Sequence, residues 1–186
     1  MSYQFDFLAL WEYRGVFLKS IWVTIQLSAL SILIGTVLGI LIGLGRHYGK
    51  NRKLTYPIWS FCTLYVYIQL AIPALVLLVW MYYCLPLFGI QIDAFWTAAL
   101  ALGINLSPFA AEIFRSGLSN IPGGELQAAR ATGYTPAQVF IHFSLPQFFR
   151  NSMPPLMGQY YTTVKLSSLA SVIGVFEIIN TSQEVI

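Results

Sequence analysis

The chain has 186 residues, of which 57% are hydrophobic and only 9% charged, with a mean hydropathy of +0.68. Soluble domains carry about 25% charged residues, and a water-soluble protein of this size could not cover its surface with so few, so a soluble globular domain is excluded. The net charge of +3 does not point to nucleic acid, because lysine and arginine gather at the ends of apolar runs instead of along one face.

Residues 1–15 are aromatic and mixed (Tyr3, Phe5, Phe7, Trp11, Tyr13) and suit a membrane interface. Beyond them the chain is divided by charge. Ser20 to Gly45, Leu54 to Ile92 and Ala94 to Ala111 carry none, and Asn151 to Phe176 is interrupted only by Lys165. Spanning a bilayer takes roughly 20 apolar residues, and none of the runs alternates at period two as a barrel strand would. The expected fold is all-α, a polytopic transmembrane helical bundle with about four spans, forming a single domain over 1–186.

The first span is expected over Val16 to Leu44; it is too long for the apolar core of a cleavable leader. Gly35, Gly39 and Gly43 fall on one helical face, which invites close approach of another helix, either within the chain or in a dimer seam. His47 sits in the following basic loop, Gly45 to Lys53, as a solvated residue without a role. The second span runs from Tyr56 to about Leu85, roughly 45 Å at 1.5 Å per residue, with a kink at Pro73 and Gln69 beside it. Cys62 and Cys84 lack metal or disulfide spacing and read as packing residues. After an outer loop, Pro86 to Asp93, the third span covers Ala94 towards Phe114, with Asn105, Ser107 and Pro108 facing the bundle or a polar path.

A soluble island follows from Asn120 to Gln147. Asn120 is expected to cap a helix with Pro122 in its first turn and Glu125 at the positive end of its dipole. Gly133 is placed to end that helix. Thr135 would cap a second one, with Pro136 at its first position and Leu145-Pro146 closing it. The fourth span begins near Met153. It holds Lys165, Ser167 and Ser168, too polar for lipid, and a locally broken helix is expected at Ser167 to Ser171 and Gly174. Seven of the ten basic residues lie in Arg46 to Lys53 and Arg115 to Arg150. By the positive-inside rule these loops are cytoplasmic and the N-terminus is outside, although Arg14 and Lys19 oppose that reading. Walker glycines, metal-ligand spacing and a nucleophile elbow are all missing, and the Ser–Lys pairing in span four has no placed base. No catalytic or metal site is expected.

Gln127-Ala128-Ala129, Gly133 and Phe143-Ser144-Leu145-Pro146 together resemble the EAA loop of ABC importer permeases: EAA, three residues, Gly, nine residues, Ile, one residue, Leu-Pro. The flanks, Ala111 to Gly117 and Lys165 to Gly174, resemble the polar amino acid uptake permeases, and the likeness extends over residues 16–186. The resemblance implies a bacterial inner-membrane permease whose 120–147 loop docks on a cytoplasmic ATPase dimer. Gln127, Ala128, Ala129, Gly133, Leu145 and Pro146 would form the coupling element. Gln69, Lys165, Ser167 and Ser168 would line the path. It also implies a second permease subunit, with a heterodimer favoured over a homodimer, and an extracytoplasmic solute-binding protein. No cofactor would belong to this chain, because ATP and Mg²⁺ sit on the partner. Without the resemblance, a channel or an ATP-independent facilitator would account for the polar spans but leave the island's spacing unexplained.

Three departures bear on the solute. Where the family often has Glu-x-x-Arg-Gly-Thr-Pro, this chain reads Tyr67-Ile68-Gln69-Leu70-Ala71-Ile72-Pro73. Where the family often has Lys-Asp-Thr-Ser, it reads Lys165-Leu166-Ser167-Ser168. Family members also continue into a fifth span, before which this chain stops. The lost acids suggest either the half of a heterodimer that does not grip the solute, or a solute that is not cationic; Lys165 without an acidic neighbour would suit an anionic or carboxylate-bearing solute, or pair with an acid of the partner.

Overall fold

The computed structural model describes residues 14–49 and 55–178. The aromatic N-terminal segment, Lys50 to Leu54 and the TSQE tail lie outside the described residues. Helix α1 spans Arg14–Gly49, and α2 and α3 span Tyr56–Ala71 and Ala74–Cys84. They are followed by α4 (Ala94–Ser119), α5 (Gly123–Ala131), α6 (Pro136–Val139) and α7 (Leu145–Leu166). Among the described residues the chain is mostly helical, with no strand. Helices α1 and α4 are each long and apolar enough to cross a membrane, and α2 with α3 qualifies as one bent pair. Helix α7, at 22 residues, starts at Leu145, well before the expected Met153. Its polar residues leave it outside that apolar class.

Helix α4 is the hub, touching α1, α2, α3 and α7. Asp93 caps its start by accepting from the Phe95 N–H at 2.9 Å. The glycine face of α1 packs on it: a Cβ added at Gly35 would lie 2.7 Å from Leu106 Cβ, and one at Gly39 would lie 2.5 Å from Ala110 Cβ. Gly103 of α4 reciprocates, 2.8 Å from Ile34 Cγ2 on the same measure. Real side chains cannot sit so close, so the α1 glycines serve this intramolecular seam, which decides between the two roles open to them. A second region of core joins Leu27 of α1, Leu77, Leu78 and Met81 of α3, Ala98 of α4 and Ile173.

Pro73 does more than kink its helix. The α2 and α3 axes differ by 100°. Ile72, the residue before the proline, is extended at φ −94°, ψ 119°, as the clash with a following proline ring dictates. Beyond α7 the chain tightens into a 3₁₀ stretch, Ser167–Ile173, which stops at Gly174 with φ +81°, where a local break was expected. His47 is not in a loop: it lies in the last turn of α1. There it is half-buried, with Nδ1 3.5 Å from Ser119 Oγ.

Candidate functional site

The island is two short helices standing off one end of the bundle. Asn120 does not start α5; its own N–H closes α4 by bonding the Ser116 carbonyl at 2.9 Å. Pro122 takes the N-cap position without a side-chain cap. A proline there is tolerated because the first helical N–H groups have no intrahelical acceptor. The C-terminal end of α5 follows the sequence reading. Gly133 has φ +91°; its N–H bonds the Arg130 carbonyl at 3.1 Å, and that of Tyr134 bonds the Ala129 carbonyl at 3.3 Å. This pair of bonds is a Schellman ending, which needs a left-handed residue. Thr135 and Gln138 then form a capping box that starts α6.

Leu145-Pro146 does not close that second helix. From Pro136 the chain stays helical through a π-turn, Phe140–Ser144, and directly into α7. The Leu145 N–H reaches back to the Phe140 carbonyl, and this wider turn makes room for the Pro146 ring, which would strike the carbonyl four residues earlier in a regular α-helix. The island is tied back to α7 by a hydrogen bond from Gln147 Nε2 to Glu125 Oε2. It is also held by the Tyr134 ring edge-on to Phe143 at 5.3 Å.

The coupling candidates divide by exposure. Gln127, Ala128, Gly133 and Pro146 are exposed, Ala129 is buried, and Leu145 is half-buried. Leu145 lines an apolar cleft of about 320 Å³ between α1, α4 and α7, with Phe140, Phe148 and Tyr160. Tyr160 crosses to α1, where its hydroxyl lies 2.9 Å from Thr36 Oγ1.

Of the path candidates, Lys165, Ser167 and Ser168 lie together at the end of α7 and the start of the 3₁₀ stretch, and Gln69 lies in the last turn of α2. Gln69 ends α2 with its side-chain Oε1 buried and without a hydrogen-bond partner. Lys165 is exposed, with Nζ 4.3 Å from the centre of the Tyr161 ring, within cation–π range. Ser167 and Ser168 turn their hydroxyls onto the carbonyls of Val164 and Lys165, each at 2.8 Å. Those bonds satisfy hydroxyls inside a span without a ligand.

An ion cluster went unassigned in the sequence. Glu112 of α4 pairs with Arg46 of α1 and, at 3.0 Å, with Arg115 one turn on. Arg46 also donates from Nε to Thr63 Oγ1 of α2 at 3.3 Å, so one guanidinium joins three helices. Arg46 is only 8% exposed. The available signal was Glu112 itself, the only acid between Asp93 and Glu125, placed at the end of a charge-free run.

Residues 35–184 match the family described as binding-protein-dependent transport system inner membrane component. The chain is 34% identical over 165 residues to the L-cystine transport system permease protein TcyB of Bacillus subtilis (strain 168), covering 89% of this chain and 68% of that protein. It is 33% identical over 183 residues to the octopine transport system permease protein OccM of Rhizobium meliloti, covering 94% and 73%. Among solved structures, an amino acid ABC transporter crystallised with histidines superposes with a TM-score of 0.85 at 30% identity, over 98% of this chain and 83% of that one.

Proposed function

Because the chain belongs to the family of binding-protein-dependent transport system inner membrane components, we propose that it is the permease subunit of an ABC importer for a polar amino acid or close analogue. It forms part of the translocation path and passes motion from a separate cytoplasmic ATPase. One observation carries this reading. The helical run from Pro136 to Leu166 is unbroken; at 1.5 Å per residue it is about 45 Å long. It joins the exposed island directly to Lys165, so displacement of α5 and α6 is delivered as displacement of α7.

In this reading the exposed face of α5, with Gln127 and Ala128, seats on the ATPase dimer, and Gly133 and Pro146 lie beside it. ATP and Mg²⁺ are held by that partner and not by this chain. The basic end of the bundle, with Arg46, Arg115, Arg130 and Arg150, faces the cytoplasm, which sets the N-terminus outside. Lys165 is the exposed polar group offered to a solute delivered by an extracytoplasmic binding protein, and Gln69 Oε1 lies buried without a partner. A buried oxygen without a donor is costly and suits a wet or solute-lined path. Relatives named for cystine and octopine transport carry amino- and carboxylate-bearing solutes, in keeping with a carboxylate meeting Lys165. A second permease subunit, here favoured as a different chain, completes the path.

The test is reconstitution of the co-purified complex in proteoliposomes with loaded binding protein, screened across amino acids. Solute-stimulated ATP hydrolysis coupled to uptake is expected. Purification without any P-loop ATPase, together with passive solute flux, would replace the reading with a channel.

A further inference from the structure

At the basic end of the bundle, beside the ion cluster, lies an open cleft of about 370 Å³ lined by Arg46, His47, Trp59, Tyr67, Arg115 and Ser119. Two guanidinium groups border it and share one carboxylate, Glu112, so the cluster carries a surplus positive charge. Arg115 commits Nε and Nη2 to Glu112, but a guanidinium has five N–H donors, and the Arg115 side chain is 38% exposed. The opposite wall is α2. Trp59 and Tyr67 are two turns apart on one of its faces, and the Trp59 ring packs against Tyr56 at 5.3 Å. Flanking Tyr67 at three residues to either side on α2, Leu64 and Leu70 are 59% and 41% exposed.

A cationic cleft at a helix end, continuous with an apolar strip and edged by Trp and Tyr, matches an amphiphilic anion. We propose that the cleft binds the phosphodiester of an anionic phospholipid, with the headgroup on Arg115 and Arg46 and an acyl chain along the exposed face of α2. Guanidinium groups bind phosphate oxygens through paired N–H bonds, and basic pockets between spans are suited to lipid headgroups. A free phosphate would satisfy the guanidinium groups equally but would leave the α2 strip unused. The inference depends on these helices spanning a membrane and not on what is transported.

The assembled complex, exchanged into nanodiscs of phosphatidylcholine containing a minor fraction of phosphatidylglycerol, is the material for the test. Lipid retained after extraction is measured by mass spectrometry. Phosphatidylglycerol should be enriched about fivefold over its bulk fraction, the ratio that one cation near a membrane surface contributes. Arg115→Gln should abolish the enrichment and Arg115→Lys should keep most of it, with unchanged elution of the complex in both. If Arg115→Gln does not assemble, the wild-type complex decides through its own enrichment and through competition by inorganic phosphate. Equal retention of the two lipids, enrichment that survives Arg115→Gln, or full displacement by millimolar phosphate would each overturn the proposal, the last by making the site one for soluble anions. None of these readouts involves solute uptake, so they stand or fall separately from the transporter reading.

Discussion

Gly133 is the residue at which docking and folding can be separated. Its φ of +91° is in the left-handed region, and a Cβ added there would meet nothing within 4 Å. A side chain therefore costs the isolated chain only backbone strain, about 1–2 kcal/mol for an L-residue in this conformation and less for asparagine, which tolerates it. That strain falls on the two bonds of the Schellman ending. It can loosen the end of α5 by about tenfold, since 1.4 kcal/mol is a factor of ten, but it cannot unfold a bundle held by the α1–α4 seam. If a partner groove closes over Gly133, however, a side chain longer than alanine's intrudes regardless of backbone preference.

The series Gly133→Ala, Gly133→Asn and Gly133→Asp distinguishes these effects. Strain alone would make alanine worst and leave asparagine close to wild type. A closed groove makes asparagine and aspartate both defective. We expect all three to insert with unchanged melting behaviour, and asparagine and aspartate to uncouple ATP hydrolysis from uptake. The assay is the ratio of solute imported to ATP hydrolysed in proteoliposomes with loaded binding protein. Wild-type transport by Gly133→Asp or Gly133→Asn would refute the placement of Gly133 at the docking surface.

Three further substitutions test other parts of the structure. Gly39→Val would drive a Cβ to 2.5 Å from Ala110 Cβ and 3.1 Å from Ala111 N; separating the α1–α4 seam should cost about 1–3 kcal/mol, as overpacking does, read as a lowered melting temperature in detergent. Glu112→Gln leaves Arg46, 8% exposed, without its counter-charge; with Glu112 itself a third exposed, the cost is discounted for screening to about 2 kcal/mol. Arg46→Met in the same chain should recover part of that loss in thermal melts. Lys165→Met should reduce uptake of a carboxylate-bearing solute about tenfold, the value of one charge-assisted hydrogen bond, while Lys165→Arg keeps most of it. Equal uptake by both variants would remove Lys165 from the path.

Much of the bundle was legible in the sequence because membrane spans are written in composition: charge-free runs located α1, α4 and the α2–α3 pair. Local chemistry was legible for the same reason. Gly133 ends α5 and Thr135 starts α6, since each depends on bonds within a few residues. Asn120 misled because one asparagine can serve either helix it stands between, and here its backbone completes α4. Long-range partners left little local trace. The Arg46–Glu112 pair joins residues 66 apart, and the Tyr160–Thr36 contact joins residues 124 apart. Both are fixed by how helices cross.

The prolines show where local rules run out. Proline removes a donor and strikes the carbonyl four residues back, yet three prolines here have three outcomes. At Pro108 the helix continues: the Ser107 hydroxyl donates to the freed Ile104 carbonyl at 2.8 Å, and Tyr65 OH, 2.7 Å from Ser107 Oγ, supplies that hydroxyl with a donor in turn. At Pro146 the helix widens into a π-turn and continues. At Pro73 it breaks, and the freed Gln69 carbonyl is taken by the Ile72 N–H at 3.2 Å. What differs is the neighbourhood: a serine beside one proline, the short helix α6 beside another, an apolar segment beside the third. The break turns the chain by 100° and leaves Gln69 at a helix end. The widening keeps α6 and α7 in one helical run. The site thus depends on which outcome each proline takes, and only the tertiary surroundings decide that.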